Sequence, residues 1–496
     1  MERPKDKLIA CLETAFNPRS IALVGASNTF GKWGQLITSN IIAAGYRGKV
    51  FPVNPGYKEM FGLPVFARIA NIPESVDLAF VITPANTVPG VLEECGDKGV
   101  KAAVVITSGF GETDQAGRDL EREIVKIGLE KGVYIIGPNT MGIISPYADL
   151  FATGSHSRPR KGSVAFISQS GNLGNQLTHW AEQQGIGLSL FVGSGNEAMI
   201  TCTDYLEYLE QDPKTRIITL YLENVSQGVR FLETATRVNR TKPIIVLKGG
   251  RTEAGRTAAA SHTGSMSGDD AIFRGACRQA GIVNAGLPSE LLTLSAAFSS
   301  LPLPKGNRVG IVTLGGGWGV VTADQCSDNG LTVPSIPDSI VEAIGLHLPP
   351  FWSRGNPVDL VGTRDPDAPI VAVEELIKWD GVDAIIVLGI VGRNEVVHTL
   401  LHAVQEADPD TSPELLGQIK EMSRNYEDTF ISKMGEFMET YEKPIIGVSL
   451  TRTESGTVRP LPGRRYSGVY YQTPETAVSV LARMAAYHRD LAPNLK

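Results

Sequence analysis

Residues 256–270 read RTAAASHTGSMSGDD and set His262 among Ala, Ser, Thr and Gly, in a chain with only seven histidines. Small neighbours leave an imidazole accessible and leave room for a reactant. The composition reads as a loop. A neutral imidazole can attack a phosphoryl group through one ring nitrogen. The other nitrogen then needs an acceptor that fixes the tautomer and holds the developing charge, and a carboxylate serves best. Glu223, at the end of the apolar run IITLYLE, is placed for that role. A phosphoryl group on the ring also needs donors for its oxygens. The segment SQSGNLG offers the Ser168 and Ser170 hydroxyls and, from Gly171 onward, the free N–H groups of a helix start. The helix dipole favours negative charge there. Each feature alone has a plain structural explanation: a loop histidine, a tight turn, a solvated glutamate. A Ser-His-Glu hydrolase would use the same residue types, but the turn is SxSGNxG, not GxSxG.

Such residues need strands that end beside helix starts. Short apolar runs alternate with helix-length amphipathic stretches, as in SIALVGAS, VDLAFVITP, KAAVVITSGFGE and VYIIGPN. Continuous β-branched runs ending in Gly, Pro, Ser or Asn are the pattern of parallel strands buried on both faces in doubly wound α/β domains. Ligands of such sheets sit where strand C-termini meet helix N-termini. Breaker-rich segments at 154–162 and 301–307 read as linkers. They divide the chain into domains at 1–153, 162–300 and 306–496.

The second and third segments look like copies of one fold. VAFISQSGNLG (164–174) parallels VGIVTLGGGWG (309–319), and KPIIVLKGGRTEAG (242–255) parallels KPIIGVSLTRTESG (443–456) without a gap. The charged stretch from about 406 to 441 is then an insertion in the later copy. His262 falls opposite Gly463, Glu223 opposite Val391, and Ser168 and Ser170 opposite Thr313 and Gly315. The distinctive polar groups thus occur together in one copy and are absent together from the other, which separates them from residues the fold itself requires.

Composition limits the alternatives. The 496 residues suggest about three domains at roughly 150 residues each. A net charge of −7 with no long basic run argues against a nucleic-acid surface. Five scattered cysteines form no CxxC, so neither a zinc site nor a disulfide framework is indicated, which fits a reducing compartment. The N-terminal MERPKDKLIACLETAF carries charges where a signal peptide needs an apolar core, and no apolar run is long enough to span a bilayer. The expectation is a cytoplasmic protein without membrane or nucleic-acid partners.

Taken in order, VGASN, GKVFPVNP, ITSGFGE, GPNTMGI, ISQSGNLG, YLE and SHTGSMSG resemble the α subunit of the NDP-forming acyl-CoA synthetases, the superfamily of succinyl-CoA synthetase. TLGGGWGV and GNPVDLVG extend the resemblance to the ADP-forming acetate–CoA ligase branch. The fold implied is α/β: a Rossmann-like CoA-binding domain followed by two flavodoxin-like doubly wound CoA-ligase domains, the first of which carries the histidine. The reaction implied interconverts acyl-CoA, ADP and phosphate with carboxylic acid, CoA and ATP. It runs through an acyl phosphate and a phosphohistidine. His262 would carry the phosphoryl group and Glu223 would orient it. Ser168, Ser170 and Gly171 would belong to the phosphate-binding helix start.

In the first domain the resemblance implies a CoA site. Gly25, Ala26 and Ser27 would bring N–H groups to its phosphates and Lys32 would add charge. Asn54 and Pro55, Thr83 and Pro84, and Thr107, Ser108 and Gly109 all follow predicted strands and would line the same crevice. Asn139 matches a motif that faces the thiol end. No metal site is expected in this chain. No ATP-grasp domain is recognisable, which leaves ADP or ATP with Mg2+ mainly to a partner, an ATP-grasp β subunit in an α2β2 assembly. Ser265 departs from the family's usual Ala, and neither the insertion nor the basic RPLPGRRYSGVYY stretch matches a family pattern. Two other classes carry different expectations. A CoA-binding regulatory protein would dispense with the histidine set, and a nicotinamide-dependent oxidoreductase would bind NAD in place of CoA.

Overall fold

The computed structural model of the chain describes residues 5–263, 268–363, 365–449 and 456–491, apart from the side chains of 260–263. It divides into two compact units, Met1–Leu292 and Thr293–Lys496. Among the described residues the first unit holds two large sheets and a small two-stranded one, and the second holds one large sheet.

The β-branched runs form the parallel strands expected of them. The first sheet is ordered Lys49–Val53, Ser20–Val24, Leu78–Val81, Ala102–Val105 and Tyr134–Ile136, all parallel. The second runs Leu188–Gly193, Lys161–Ser168, Ile217–Leu222, Ile244–Lys248 and Val283–Ala285. The third runs Val358–Asp359, Val309–Thr313, Ala384–Leu388, Ile445–Val448 and Gly468–Tyr471. Numbered along the chain, the parallel strands of every sheet follow the order 2-1-3-4-5, the flavodoxin-like winding. The order reverses between strands 1 and 3, so each sheet opens a crevice at the carboxyl ends of those two strands. The repeat read from the sequence is therefore a repeat of topology, and the first sheet shares it.

The sheets also carry additions. The antiparallel hairpin Gly142–Ser145 and Leu150–Thr153 extends the second sheet beyond Leu188–Gly193. Its strands thus hydrogen-bond with the second sheet, although the sequence linker lies after them. The helix Lys5–Phe16 binds the two sheets of the first unit into one core. Its buried Leu8, Leu12 and Phe16 share a cluster with Leu23 and Phe80 of the first sheet and Leu190 and Leu220 of the second. Phe16 packs on the Tyr208 ring at 5.2 Å, and the Tyr208 hydroxyl donates to Glu13 at 2.8 Å.

In the third sheet, two helices, Arg393–Ala407 and Pro413–Tyr441, connect strands that the single helix Gly228–Asn239 connects in the second. The second of them spans 29 residues and is the charged insertion. Its later turns neutralise the basic stretch that follows. Arg464 pairs with Glu439 at 3.0 Å, Arg465 with Glu442 at 3.0 Å, and Arg459 with Glu427 at 2.6 Å. In the last pair Glu427 is buried, and it also accepts the Gly392 N–H at 3.0 Å. The insertion and the basic stretch are thus one packed feature. No helix among the described residues is long and apolar enough to cross a membrane.

Candidate functional site

The first crevice lies where the strands Ser20–Val24, Lys49–Val53 and Leu78–Val81 end. It is a cleft of about 470 Å³, and its walls include Gly25, Ser27, Lys32, Asn54, Thr83 and Pro84. The chain leaves Val24 through Gly25 at φ +94°, where a Cβ would stand 2.9 Å from the Ile82 carbonyl. Only glycine allows the turn to pass so close to the neighbouring strand. The helix Trp33–Ala43 then begins after Lys32, whose side chain makes no capping bond. The Asn54 amide donates to Ala26 O at 2.7 Å and its oxygen accepts from Gly56 N at 2.8 Å. Asn54 therefore fixes the two turns to each other. Thr83 Oγ1 is buried in this wall with no partner among the described residues. A buried hydroxyl without a partner is costly, and a polar ligand in the cleft would satisfy it.

Thr107, Ser108 and Gly109, expected along the same crevice, are not among the residues that line this cleft, and neither is Asn139. The strand Ala102–Val105 is one place further from the reversal point, so the residues after it are displaced by about one strand spacing, ~4.8 Å. They build a second polar seam. Thr107 Oγ1 donates to Thr83 O at 2.6 Å, and Gly109 N donates to Glu112 at 2.6 Å. Asn139, at φ +58°, donates its backbone N–H to Thr107 O at 2.9 Å and its amide to Asn196 at 3.3 Å. Asn196 in turn donates to Glu112 at 2.6 Å and Glu121 at 2.8 Å. Burial pushes the Glu112 carboxyl up, but the Asn196 amide and the Gly109 N–H outweigh it and hold the group below its usual range. Ala26 is buried and offers its carbonyl to Asn54.

The second crevice brings the predicted phosphate residues together. Lys161–Ser168 ends at the helix Gly171–Gln183, with Ser170 at its N-cap and no capping bond from the Ser170 side chain. The first-turn amides of such a helix have no intrahelical acceptor. A Cβ at Gly171 would overlap Met141, so the 139–141 segment lies directly against this helix start. Ser168 ends the strand at this turn. Its buried hydroxyl donates to Ser170 O at 2.7 Å. In the other copy Thr313 donates to Gly315 O at 2.9 Å. This hydroxyl closes the same turn in both copies and so does not distinguish them.

Glu223 follows Ile217–Leu222 and is buried, with the Tyr221 hydroxyl donating to its Oε1 at 3.2 Å. Gln169 anchors its backbone. The Gln169 Oε1 accepts from Glu223 N at 2.6 Å and Asn224 N at 3.0 Å, while Nε2 donates to Asn224 O at 2.9 Å. Lys248 ends the next strand. Its amine donates to Glu223 O and to Gly249 O, both at 2.7 Å, and burial lowers its pKa.

His262 lies in the last turn of the helix Glu253–Thr263, so its segment is not the loop that small residues suggested. The run of three alanines before Ser261 is strongly helix-forming, and Thr252 opens the helix by accepting Gly255 N at 3.1 Å. The His262 side chain lies outside the described residues, as do residues 264–267.

Three family models match the chain: a CoA binding domain over 19–146, a succinyl-CoA ligase like flavodoxin domain over 161–298, and a Ligase-CoA domain over 309–393. The chain is 42% identical over 383 residues to the acetate–CoA ligase (ADP-forming) I subunit alpha of Pyrococcus furiosus, covering 76% of this chain and 82% of that one. It is 38% identical to the II subunit alpha of the same organism, over 87% of this chain and 95% of that one. The chain belongs to the family of ADP-forming acyl-CoA ligase α subunits. A solved relative agrees throughout its length. The dinucleotide forming acetyl-coenzyme A synthetase 1 of Ca. Korarchaeum cryptofilum, in complex with phosphate and ADP, superposes with a TM-score of 0.82 at 34% identity over 97% of both chains. The acetate–CoA ligase (ADP-forming) of Methanocaldococcus jannaschii is 41% identical over 71% of this chain, which spans 49% of that protein.

The ligase thus carries a CoA-binding domain and an ADP-forming acid–thiol ligase fold. Sequence reasoning passed over three of its polar groups. Gln169 sat unremarked inside a quoted motif, Lys248 ended a quoted strand, and Arg68 had no motif at all. Pairing across strand ends, which a linear pattern does not display, is what brings them into the crevices.

Proposed function

We propose that the ligase works through a phosphohistidine at His262, with CoA held in the first crevice and phosphoryl chemistry carried out at the second. The observation that carries this reading is the meeting of the 139–141 segment with the helix start at Gly171. It joins the end of the CoA-binding domain to the turn that Gln169 ties to Glu223.

Phosphate oxygen attacks the thioester carbonyl, the C–S bond breaks, and CoA leaves as the thiol with an acyl phosphate formed. The amides from Gly171 onward and the Ser170 hydroxyl hold its phosphoryl oxygens. A His262 ring nitrogen attacks phosphorus and the P–O bond to the acyl group breaks, releasing the carboxylate. Glu223 accepts the N–H of the other ring nitrogen and stabilises the charge that develops. The phosphoryl group then passes to ADP, and His262 returns to its neutral form. Ser168 supports the turn through the Ser170 carbonyl. CoA contacts fall to Gly25, Ser27, Lys32 and Thr83, while Asn54 shapes the wall.

Both Pyrococcus relatives are named α subunits, and the chain spans only about half of the Methanocaldococcus relative. These facts support a partner, which we take to be an ATP-grasp β subunit binding Mg2+ and nucleotide in a cytoplasmic α2β2 assembly. The test is ADP- and phosphate-dependent turnover of a panel of acyl-CoAs with and without that partner. ATP formation is expected only when both polypeptides are present. Sustained ATP formation by the purified single chain would overturn the division of labour.

A further inference from the structure

Among the described residues, the cleft of the first sheet is lined by three charged groups, Lys32, Arg68 and Glu94, together with neutral residues. CoA presents two separate anionic groups to such a site, a pyrophosphate and a phosphomonoester on the ribose 3′ oxygen. Lys32 stands at the start of the helix Trp33–Ala43, beside the Gly25 turn, which is the place a dinucleotide fold gives to pyrophosphate. Arg68 stands elsewhere. It follows the bridge that ties Phe66 to Val53, at the carboxyl end of the second strand. In dinucleotide folds the ribose lies over that strand end, and an arginine there takes a phosphate on the ribose.

In the present structure Arg68 is held by a carboxylate. Its Nε and Nη2 both donate to Glu94 Oε1, at 2.9 and 2.5 Å, from the facing helix Val88–Lys98. The Arg68 side chain is 66% exposed and that of Glu94 25%. An ion pair so open to solvent contributes little to stability, so an incoming dianion can exchange for it. A guanidinium fork matches a phosphate with two parallel bonds.

We propose that Arg68 is the clamp for the 3′-phosphate of CoA, and that Glu94 holds the guanidinium in the cleft and competes with the ligand for it. The proposal rests on reading this cleft as the CoA site. It makes Arg68 the residue that distinguishes CoA from dephospho-CoA, which lacks only that phosphate. Glu94 keeps the cation aimed into the cleft when CoA is absent and repels the phosphate until the pair opens. Removing the Glu94 charge should therefore favour CoA.

Titration calorimetry of the full chain with CoA and with dephospho-CoA tests this directly. The wild type is expected to bind CoA at least tenfold more tightly. Arg68→Ala should lose that preference while keeping its affinity for dephospho-CoA, and Arg68→Lys should recover part of it. Glu94→Gln should bind CoA several-fold more tightly, with dephospho-CoA little changed. Equal weakening of both ligands by Arg68→Ala would overturn the clamp, as would unchanged discrimination or weaker CoA binding by Glu94→Gln. A wild-type chain that binds neither ligand would overturn the CoA reading of the cleft itself and the clamp with it.

Discussion

Gln169 gives the sharpest test of how the second crevice is built. Its carboxamide oxygen accepts two backbone N–H groups, from Glu223 at 2.6 Å and Asn224 at 3.0 Å. Its amide donates to Asn224 O at 2.9 Å. Gln169→Met keeps the length and bulk of the side chain and removes all three bonds. Leaving a buried N–H without an acceptor costs about 1–3 kcal/mol. Both groups are only partly buried, and water can reach them after the change, so the loss of stability is expected near the low end, about 2 kcal/mol in total. The effect on chemistry is larger than that cost implies. The Glu223 carboxylate sits on the backbone that Gln169 holds, and a shift of about 1 Å in a reacting group lowers a rate on the order of 10²-fold. The assay is single-turnover phosphorylation of the chain from acyl-CoA and phosphate, with CoA affinity and thermal unfolding measured on the same sample. A slow phosphorylation step with intact CoA binding is the expected result. A folded variant that phosphorylates at the full rate would refute the argument that Gln169 positions Glu223.

Burial pushes the Glu197 carboxyl up to about 7 from its ordinary 4.5, so the folded chain holds a proton that the unfolded chain releases between those values. Wild-type stability from this group therefore falls as pH rises from about 4.5 to 7, and Glu197→Gln should gain on the wild type across that window by up to about 3 kcal/mol; parallel stability curves for the two would refute it. Arg459→Met leaves buried Glu427 without its 2.6 Å partner and should cost about 3–5 kcal/mol in denaturant unfolding, largely restored by adding Glu427→Gln. A cost below about 1 kcal/mol would mean that the insertion is not held through this pair. Gly25→Ala forces a side chain into a φ of +94° and against Ile82, so CoA affinity should fall at least tenfold with a stability loss of about 1–3 kcal/mol. Unchanged CoA binding in this variant would remove the Gly25 turn from the site.

The three sheets were legible because each core strand is a run of β-branched and small apolar residues that ends in a turn former. Ser20–Val24, Ile217–Leu222 and Ala384–Leu388 are examples, each buried or nearly buried along its length. The repeat was legible because equivalent turns keep their residue classes, as at Ser168 and Thr313. That same pair does not by itself separate the two copies, since a hydroxyl that closes a turn looks in sequence like one offered to a ligand. At His262, small residues suggested a loop, but alanine is the strongest helix former, and Glu253–Thr263 is helical. Thr107 to Gly109, grouped in sequence with the Gly25 cleft, are not among its lining residues. The end of a strand is readable in sequence, but its distance from the reversal point depends on strand order. The insertion and the basic stretch, each without a pattern of its own, are explained only by the ion pairs between them.

The central claim is that phosphoryl transfer passes through His262. The most direct measurement incubates the assembled enzyme with radioactive phosphate and acyl-CoA in the absence of ADP, then maps the acid-labile, alkali-stable label by peptide sequencing. Label is expected on His262, discharged by ADP and absent from His262→Ala, which still binds CoA. Label that persists in His262→Ala, or that maps to another residue of the wild type, would contradict it.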